Sequence, residues 1–419
     1  MNISIPYDGA LVDVTFPDGA VILEPHPPLI SDDCSVRDKI ILAFGEFRDR
    51  FSNKKVTIVV NDATRRLPTW KILEVLSQLV SPDKIEVLVA TGAHRTPTDA
   101  ELDVIFGSAR RFFEGRIAIH DCRDENSLTH LGYTSRGTPV EVNKKLADAE
   151  CLICINSVEP HFFAGYTGGR KSLIPGLAGF TTTVLNHSLA KHEESRSLNL
   201  ETNPLHQDLM EAIGLLGSKS VLSIQLVTSR QGEIIDMFCG ELDWTFRQAV
   251  ACAKNIYTVT IENKYEIVFA VGEPPLDANL YQLQKAQEHG AEAVSDGGIL
   301  VVVGACNQGT GSDYFIRLAE DYPEPESALS SKAVADNRFG IHKLVKTARR
   351  LRRFKIWYVA KLDDKILRKV YYEPKKSLQA ALDDAMAIMG RNSRVDATRV
   401  AILKDACFIV PVLGSIKGE

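Results

Sequence analysis

Short runs of β-branched and aliphatic residues alternate along the chain with stretches whose apolar positions recur at i, i+3 and i+4. The runs KVTIVVND (55–62), KIEVLVATG (84–92), GRIAIHD (115–121), ADAECLICINS (147–157), YEIVFAVGE (265–273) and GGILVVVGACNQG (297–309) are bounded by turn residues and read as strands. TWKILEVLSQLV after the first and AELDVIFG after the second carry the helical period. So does the basic stretch 340–354 ahead of a further strand, FKIWYVAKL (354–362). Strand and helix in turn make βαβ units, so the expected class is α/β with mostly parallel sheets. A new βα series begins after a Lys/Glu/Asn-rich connection near 264, which divides the chain into two α/β domains, 1–264 and 265–419, with an active-site cleft expected between them. MNISIPYDGALVDVTF at the start alternates as a strand does, and ATRVAILKDACFIVPVL near the end holds strand-like runs that fit either domain.

Length and composition then narrow the class of function. A chain of 419 residues can bury a large core in two or three domains. Its 45% hydrophobic and 25% charged residues are those of an ordinary globular protein, which excludes collagen-like and disordered chains. The 49 Lys+Arg against 54 Asp+Glu leave a formal charge of -5. Such a balance offers no broad basic field to nucleic acid or an anionic membrane, so small-molecule chemistry is expected instead. The N-terminus lacks the basic and apolar regions of a secretory signal, and no stretch reaches the ~18 apolar residues of a membrane helix, so a soluble cytoplasmic protein is expected. Cys151 and Cys154 form a lone C-x-x-C that a strand would point to opposite faces, so the cysteines read as small buried hydrophobes.

Chemistry should collect where the strands end, because in open parallel sheets the ligand crevice lies beyond their carboxyl ends. The strand ends NDATR, ATGAHR and NSVEPH supply Asp62, Thr64 and Arg65, then His94 and Arg95, then His161; His120 ends another strand in AIHDC. One strand-end histidine is ordinarily a structural residue, whereas several converging on a crevice suit proton transfer near neutral pH. The densest segment, NSVEPHFFAGYTGGRKSLIPGLAGFTTTVLNHS (156–188), sets Gly168 and Gly169 directly before Arg170 and Lys171. Two readings fit it: a glycine-shaped turn with solvated cations, or a backbone opened to an anionic ligand. Its spacing is not that of a P-loop. In LDANLYQLQKAQ, Tyr281 and Lys285 share a helical face with Gln282 beside them, either as an ordinary amphipathic start or as a face that closes over an anion.

Together these residues resemble the nickel-dependent lactate racemase family. Its marks are an Asp-x-Thr-Arg turn, an Ala-Thr-Gly-x-His-Arg turn, a P-H-x-x-A-G-x-x-G-G-R-K segment, a following Asn-His and a Tyr-Gln-x-x-Lys helix. All five occur here in order, as DATR (62–65), ATGAHR (90–95), PHFFAGYTGGRK (160–171), NH (186–187) and YQLQK (281–285). The resemblance implies an isomerase, a racemase or epimerase of a 2-hydroxy acid. It implies a nickel-pincer nucleotide, a pyridinium-3-thioamide-5-thiocarboxylic acid mononucleotide, joined covalently to Lys171. Nickel would be held by S, C and S of that cofactor and by His187 alone from the protein, a donor set that suits square-planar Ni(II). Asp62 and Thr64 would contact the cofactor's ribose and phosphate, and Gly168, Gly169 and Arg170 would complete its cradle. His94 and His161 would be the acid/base pair on the two sides of the substrate carbinol while hydride moves from C2 to the cofactor. Arg65, Gln282 and Lys285, with Tyr281, would hold the carboxylate and carbonyl oxygen, with Phe163 and Trp357 as an apolar wall. The first domain would then be catalytic and carry the cofactor, and the second would close the cleft. The implied partners are a small 2-hydroxy acid and the enzymes that make the cofactor and insert nickel.

Arg66 stands where the family commonly has proline, and Tyr166 and Thr167 replace a frequent Phe-Gly pair. These positions are expected to ring the pocket and to favour an acid larger or more polar than lactate. Two other functions draw on the same residues. A non-catalytic nucleotide- or phosphate-binding protein would use Gly168 to Lys171 but leave the three histidines without purpose. A zinc hydrolase built on His94, His161 and His187 would leave Lys171 unexplained.

Overall fold

A computed structural model of the chain describes residues 1–24, 30–65, 67–392 and 399–414. They form two compact units, one from the described residues within 27–189 and 194–256, the other from those within 1–26, 190–193 and 257–419. The α/β class holds for both.

The 27–256 unit is built on a six-stranded sheet in the spatial order Ile234–Gly240, Ser220–Thr228, Cys151–Ser157, Val56–Asn61, Ile85–Ala90, Ile117–Ile119. Every pair is parallel except the first, a hairpin at one edge. The central strands are buried on both faces, as their runs rich in Val, Ile and Leu require, with Thr57, Glu86, Cys151 and Cys154 among the buried interruptions. Helices Asp33–Phe51, Thr69–Leu76 and Asp99–Phe106 pack on one face, burying Ile40, Phe47, Ile72, Leu76, Ile105 and Phe106 against Ile58, Val87 and Ile153. The helix at Thr69 stops four residues short of its apolar pattern, whose end forms a turn.

The other unit has a six-stranded, wholly parallel sheet in the order Glu373–Pro374, Lys355–Val359, Val294–Val303, Tyr265–Val271, Val400–Leu403, Val21–Leu23. Its edge strand thus comes from the start of the chain. The N-terminal alternation resolves into an antiparallel hairpin, Asn2–Tyr7 with Ala10–Thr15, which lays Ile3, Ile5, Val14 and Phe16 on this sheet's core. Helix Leu280–Gly290 sits close to the strands because Gly272 and Gly304 leave room for Leu283, whose Cδ1 would be 2.3 and 2.7 Å from a Cβ at those positions. No helix among the described residues is long and apolar enough to cross a membrane.

Candidate active site

Val56–Asn61 lies between Ile85–Ala90 and Cys151–Ser157, and the turn that leaves it grips both neighbours. On one side Asp62 Oδ2 meets His94 Nδ1 at 2.7 Å. On the other Arg65 pairs with Glu159, two residues before His161. Strands two places apart in a sheet stand about 10 Å from one another, so the histidine-bearing strand ends are set apart by roughly the width of a small acid. Three of the sequence candidates, Asp62, Arg65 and His94, are thereby joined, and His161 follows from the next strand.

Asp62 is buried, and its second oxygen accepts from the Thr64 amide (3.2 Å) and hydroxyl (2.5 Å). Burial alone would push this carboxyl up. The hydrogen bond and charge of His94, with Thr64 and the nearby Arg65, outweigh burial and hold it below its ordinary value, so it is a carboxylate at neutral pH. The His94 side chain is 52% exposed and open to a ligand.

His161 is fixed in another way. Its Nδ1 accepts from the amides of Ala164 (3.3 Å) and Phe163 (3.5 Å), and its ring stacks on Phe162 with centroids 5.3 Å apart. Phe163 is the hub of this corner. Its ring centroid is 4.4 Å from that of His161, 5.1 Å from that of His187 and 5.7 Å from Lys171 Nζ. Lys171 comes from the 3-10 turn Gly169–Ser172, and His187 from the last turn of helix Phe180–Ser188. The candidate base, the candidate cofactor lysine and the candidate nickel ligand therefore border one phenyl ring. Among the described residues no three His, Cys, Asp or Glu side chains gather as a metal site, which removes the geometric basis of a zinc hydrolase. A single imidazole beside a lysine does fit a metal whose other donors arrive with a lysine-bound cofactor.

The glycines serve the loop's own packing. Gly168 and Gly169 have φ of +77° and +55°. A Cβ at Gly168 would lie 2.5 Å from Val158 Cγ2, and one at Gly169 2.8 Å from the Phe246 ring. The Gly169 amide is spent on Gln225 Oε1 at 3.0 Å. Arg170 is buried rather than solvated. Its Nη2 donates to Ala164 O (3.2 Å), its guanidinium lies 4.8 Å over Phe246, and no carboxylate among the described residues pairs with it. Burial pulls it down to about 9, still charged at neutral pH. His206, next to the same Phe246, is pulled down to about 3 by burial and then by the Arg170 charge.

Several expectations change. Tyr166 and Thr167 do not ring a pocket: both are buried, and the Thr167 hydroxyl donates to Ser157 O at 2.9 Å while accepting from the Glu159 amide at 3.0 Å. Trp357 is a core residue of the other unit, packed with the Tyr265–Val271 and Val294–Val303 strands. His120 is structural: it is buried, with both ring nitrogens hydrogen-bonded, to Ala178 O and Asn143 Nδ2. Arg66 lies outside the described residues. Cys151 and Cys154 are both buried in their strand.

In the other unit, Tyr281, Gln282 and Lys285 occupy the first turns of helix Leu280–Gly290, capped by Asn279 accepting from the Gln282 amide at 3.0 Å. All three are half-buried. The buried Lys343 places Nζ 3.7 Å over the Tyr281 ring and donates to Tyr281 O at 2.9 Å. Burial raises the Tyr281 phenol above its ordinary value. Sequence reasoning missed Lys343, Glu159 and Gln225. Glu159 was discoverable from its place beside His161 in NSVEPH; Gln225 had only the signal of a polar residue inside the apolar run SIQLVT.

Comparison with known proteins bears on these residues. A family profile described as the lactate racemase N-terminal domain matches residues 45–198, and one described as the lactate racemase C-terminal domain matches residues 261–408. Lactate racemase of Thermoanaerobacterium thermosaccharolyticum is 28% identical over 344 residues, 78% of this chain and 80% of that one. Lactate racemase of Lactiplantibacillus plantarum is 28% identical over 366 residues, 85% and 84% of the two chains. Among solved structures, the lactate racemase apoprotein of T. thermosaccharolyticum shares the fold with a TM-score of 0.85 at 24% identity, over 98% of this chain and all of that one. A Thermotoga maritima protein aligns with a TM-score of 0.67 at 17% identity, covering 93% of this chain and all of the other.

Proposed function

Because the chain belongs to the lactate racemase family, and is an isomerase on that ground, we propose that it interconverts the enantiomers of a 2-hydroxy acid using a nickel-pincer nucleotide carried on Lys171, with His187 as the metal's protein ligand. The observation that carries this reading is the meeting of His161, Lys171 and His187 on the ring of Phe163. When bound, that group supplies an acceptor for hydride from C2.

The chain's own residues do the rest. His94 and His161, at strand ends on either side of Val56–Asn61, serve the hydroxyl proton. Arg65, steadied by Glu159, keeps donors for the substrate carboxylate, since one guanidinium offers five N–H groups. Phe162 and Phe163 screen the reacting carbon from water. The cradle reading of Asp62, Thr64, Gly168, Gly169 and Arg170, and substrate holding by Tyr281, Gln282 and Lys285, rest on the family motifs they match.

Three measurements test the proposal. Protein co-produced with the cofactor-making enzymes should gain a few hundred daltons by intact mass, mapped to Lys171, and Lys171→Arg should gain nothing. Substrate deuterated at C2 should racemise in water with its label retained; rapid wash-out into solvent would show proton abstraction and overturn the hydride reading. His187→Ala should lose nickel by metal analysis while keeping the lysine adduct.

A further inference from the structure

The two acid/base histidines are held by opposite chemistry. Asp62 is a carboxylate that can only accept, so the 2.7 Å contact with His94 places the imidazole proton on Nδ1 and leaves the Nε2 lone pair outward. Thr64 holds the other Asp62 oxygen through its amide and hydroxyl, which fixes the carboxylate plane and through it the His94 ring. His161 Nδ1 instead faces two main-chain N–H groups, those of Ala164 and Phe163. These can only donate, so that nitrogen carries the lone pair and the neutral ring keeps its proton on Nε2.

We propose that His94 and His161 rest as opposite tautomers, His94 as the proton acceptor and His161 as a neutral hydrogen-bond donor to the substrate oxygen, with Asp62 as the residue that positions His94. This rests on the proposed function and sharpens it: the two histidines are not interchangeable in the resting enzyme. When a hydroxyl faces His94, its O–H bond breaks, the proton goes to Nε2 and the electron pair stays on oxygen. The resulting imidazolium keeps its Nδ1–H on Asp62, the arrangement in which a buried carboxylate steadies a catalytic histidine. Against His161 the same oxygen meets an N–H, which polarises it without taking a proton. For His161 to serve the opposite enantiomer as a base it must first release its Nδ1 from the 163–164 amides or change tautomer, a step His94 does not need.

The test uses the intact protein with ring-15N-labelled histidine, under conditions where the rings are neutral, the two signals being assigned with His94→Gln and His161→Gln. The expected spectrum shows protonated Nδ1 for His94 and protonated Nε2 for His161. Asp62→Asn should move the His94 pattern toward the other tautomer or a mixture and leave His161 unchanged. In the cofactor-loaded enzyme the same variant should lower kcat about a hundredfold. Asp62→Glu should recover part of that loss, which a role in folding alone would not produce. Because racemisation has an equilibrium constant of one, kcat/KM must match in the two directions, so the asymmetry should show as unequal kcat and unequal KM. Identical tautomers at the two histidines, or a His94 pattern unmoved by Asp62→Asn, would overturn this inference while leaving racemisation intact. Absence of the Lys171 adduct with the tautomers as assigned would instead overturn the proposed function.

Discussion

His120 has both ring nitrogens inside the protein: Nε2 donates to Ala178 O at 3.0 Å, and Nδ1 accepts from Asn143 Nδ2 at 3.2 Å. The Thr91 hydroxyl donates to its carbonyl at 2.7 Å, so one residue ties its own strand end to three neighbouring segments. Burial holds the ring below its ordinary pKa, and it stays neutral. His94 has one nitrogen on Asp62 and a side chain that is half exposed. The same residue type at the same kind of strand end therefore does different work, and two substitutions should separate the roles. His120→Ala should cost about 2–4 kcal/mol, because it opens a cavity and orphans the Asn143 and Ala178 groups. Its adduct at Lys171 should survive in the folded fraction. His94→Ala, at a half-exposed side chain, should stay within about 1 kcal/mol of the parent yet lose turnover. Urea unfolding and racemisation assays on the two variants check both outcomes. A His120→Ala protein as stable as the parent would show that the ring is not the tie described.

At the scale of elements, the glycine-rich segment matters for how tightly it folds back on itself. Gly168 combines φ of +77° with a Cβ position already occupied by Val158 and by Ser157 O. Gly168→Ala should therefore displace the loop, by about 2 kcal/mol or more in unfolding experiments, and lower nickel retention through a shifted Phe163. Unchanged unfolding would mean that the loop has slack. Long apolar strands such as IVFAV and ILVVV were legible because burial on both faces leaves only apolar residues. Tyr281 and Lys285 were legible as one helix face because their spacing is four. The Ser220–Thr228 strand was not, since the buried Ser223 and Gln225 break its apolar run, and their satisfaction is a matter of tertiary contact: Gln225 Nε2 donates to Ser223 Oγ at 2.6 Å. Val21–Leu23 was too short to stand out, and its partner lies almost four hundred residues later. The same limit applied to the site. The strand ends and the five motifs were readable, whereas the pairing of Asp62 with His94 and Arg65 with Glu159 depends on which strands are neighbours, which no local pattern encodes.

At the scale of the whole molecule, the parallel sheet of the C-terminal residues is completed by the first residues of the chain. A fragment starting at residue 257 lacks the Val21–Leu23 edge strand and the Ile5, Val14 and Phe16 side chains that cover its core. Such a fragment should be poorly soluble, and linking residues 1–24 to it should restore a cooperative transition; equal behaviour of the two would mean that the hairpin is dispensable. The pH dependence of stability is also a property of the whole chain, because buried neutral histidines occur in both units. Burial pulls His120 down, pulls His206 down to about 3 together with the Arg170 charge, and pulls His289 down to about 4. In each case the folded pKa lies below the unfolded value of about 6.5. Between those two values the unfolded chain binds a proton that the folded chain refuses, so stability falls as pH drops. The slope is at most about 1.4 kcal/mol per pH unit for each histidine. Above about pH 7 both states are neutral at these sites and the contribution is flat. Asp62 and Glu292, held below their ordinary values, act in the same direction but only once the pH nears the carboxylate range of about 4. Loss of stability should therefore begin near pH 6, well before carboxylates titrate, and His206→Gln should flatten the curve because the amide cannot take up the proton. Urea midpoints measured from about pH 8 down to about pH 5 decide the matter: a level profile in the parent, or a slope unchanged in His206→Gln, would mean that the unfolded chain gains no proton at this site.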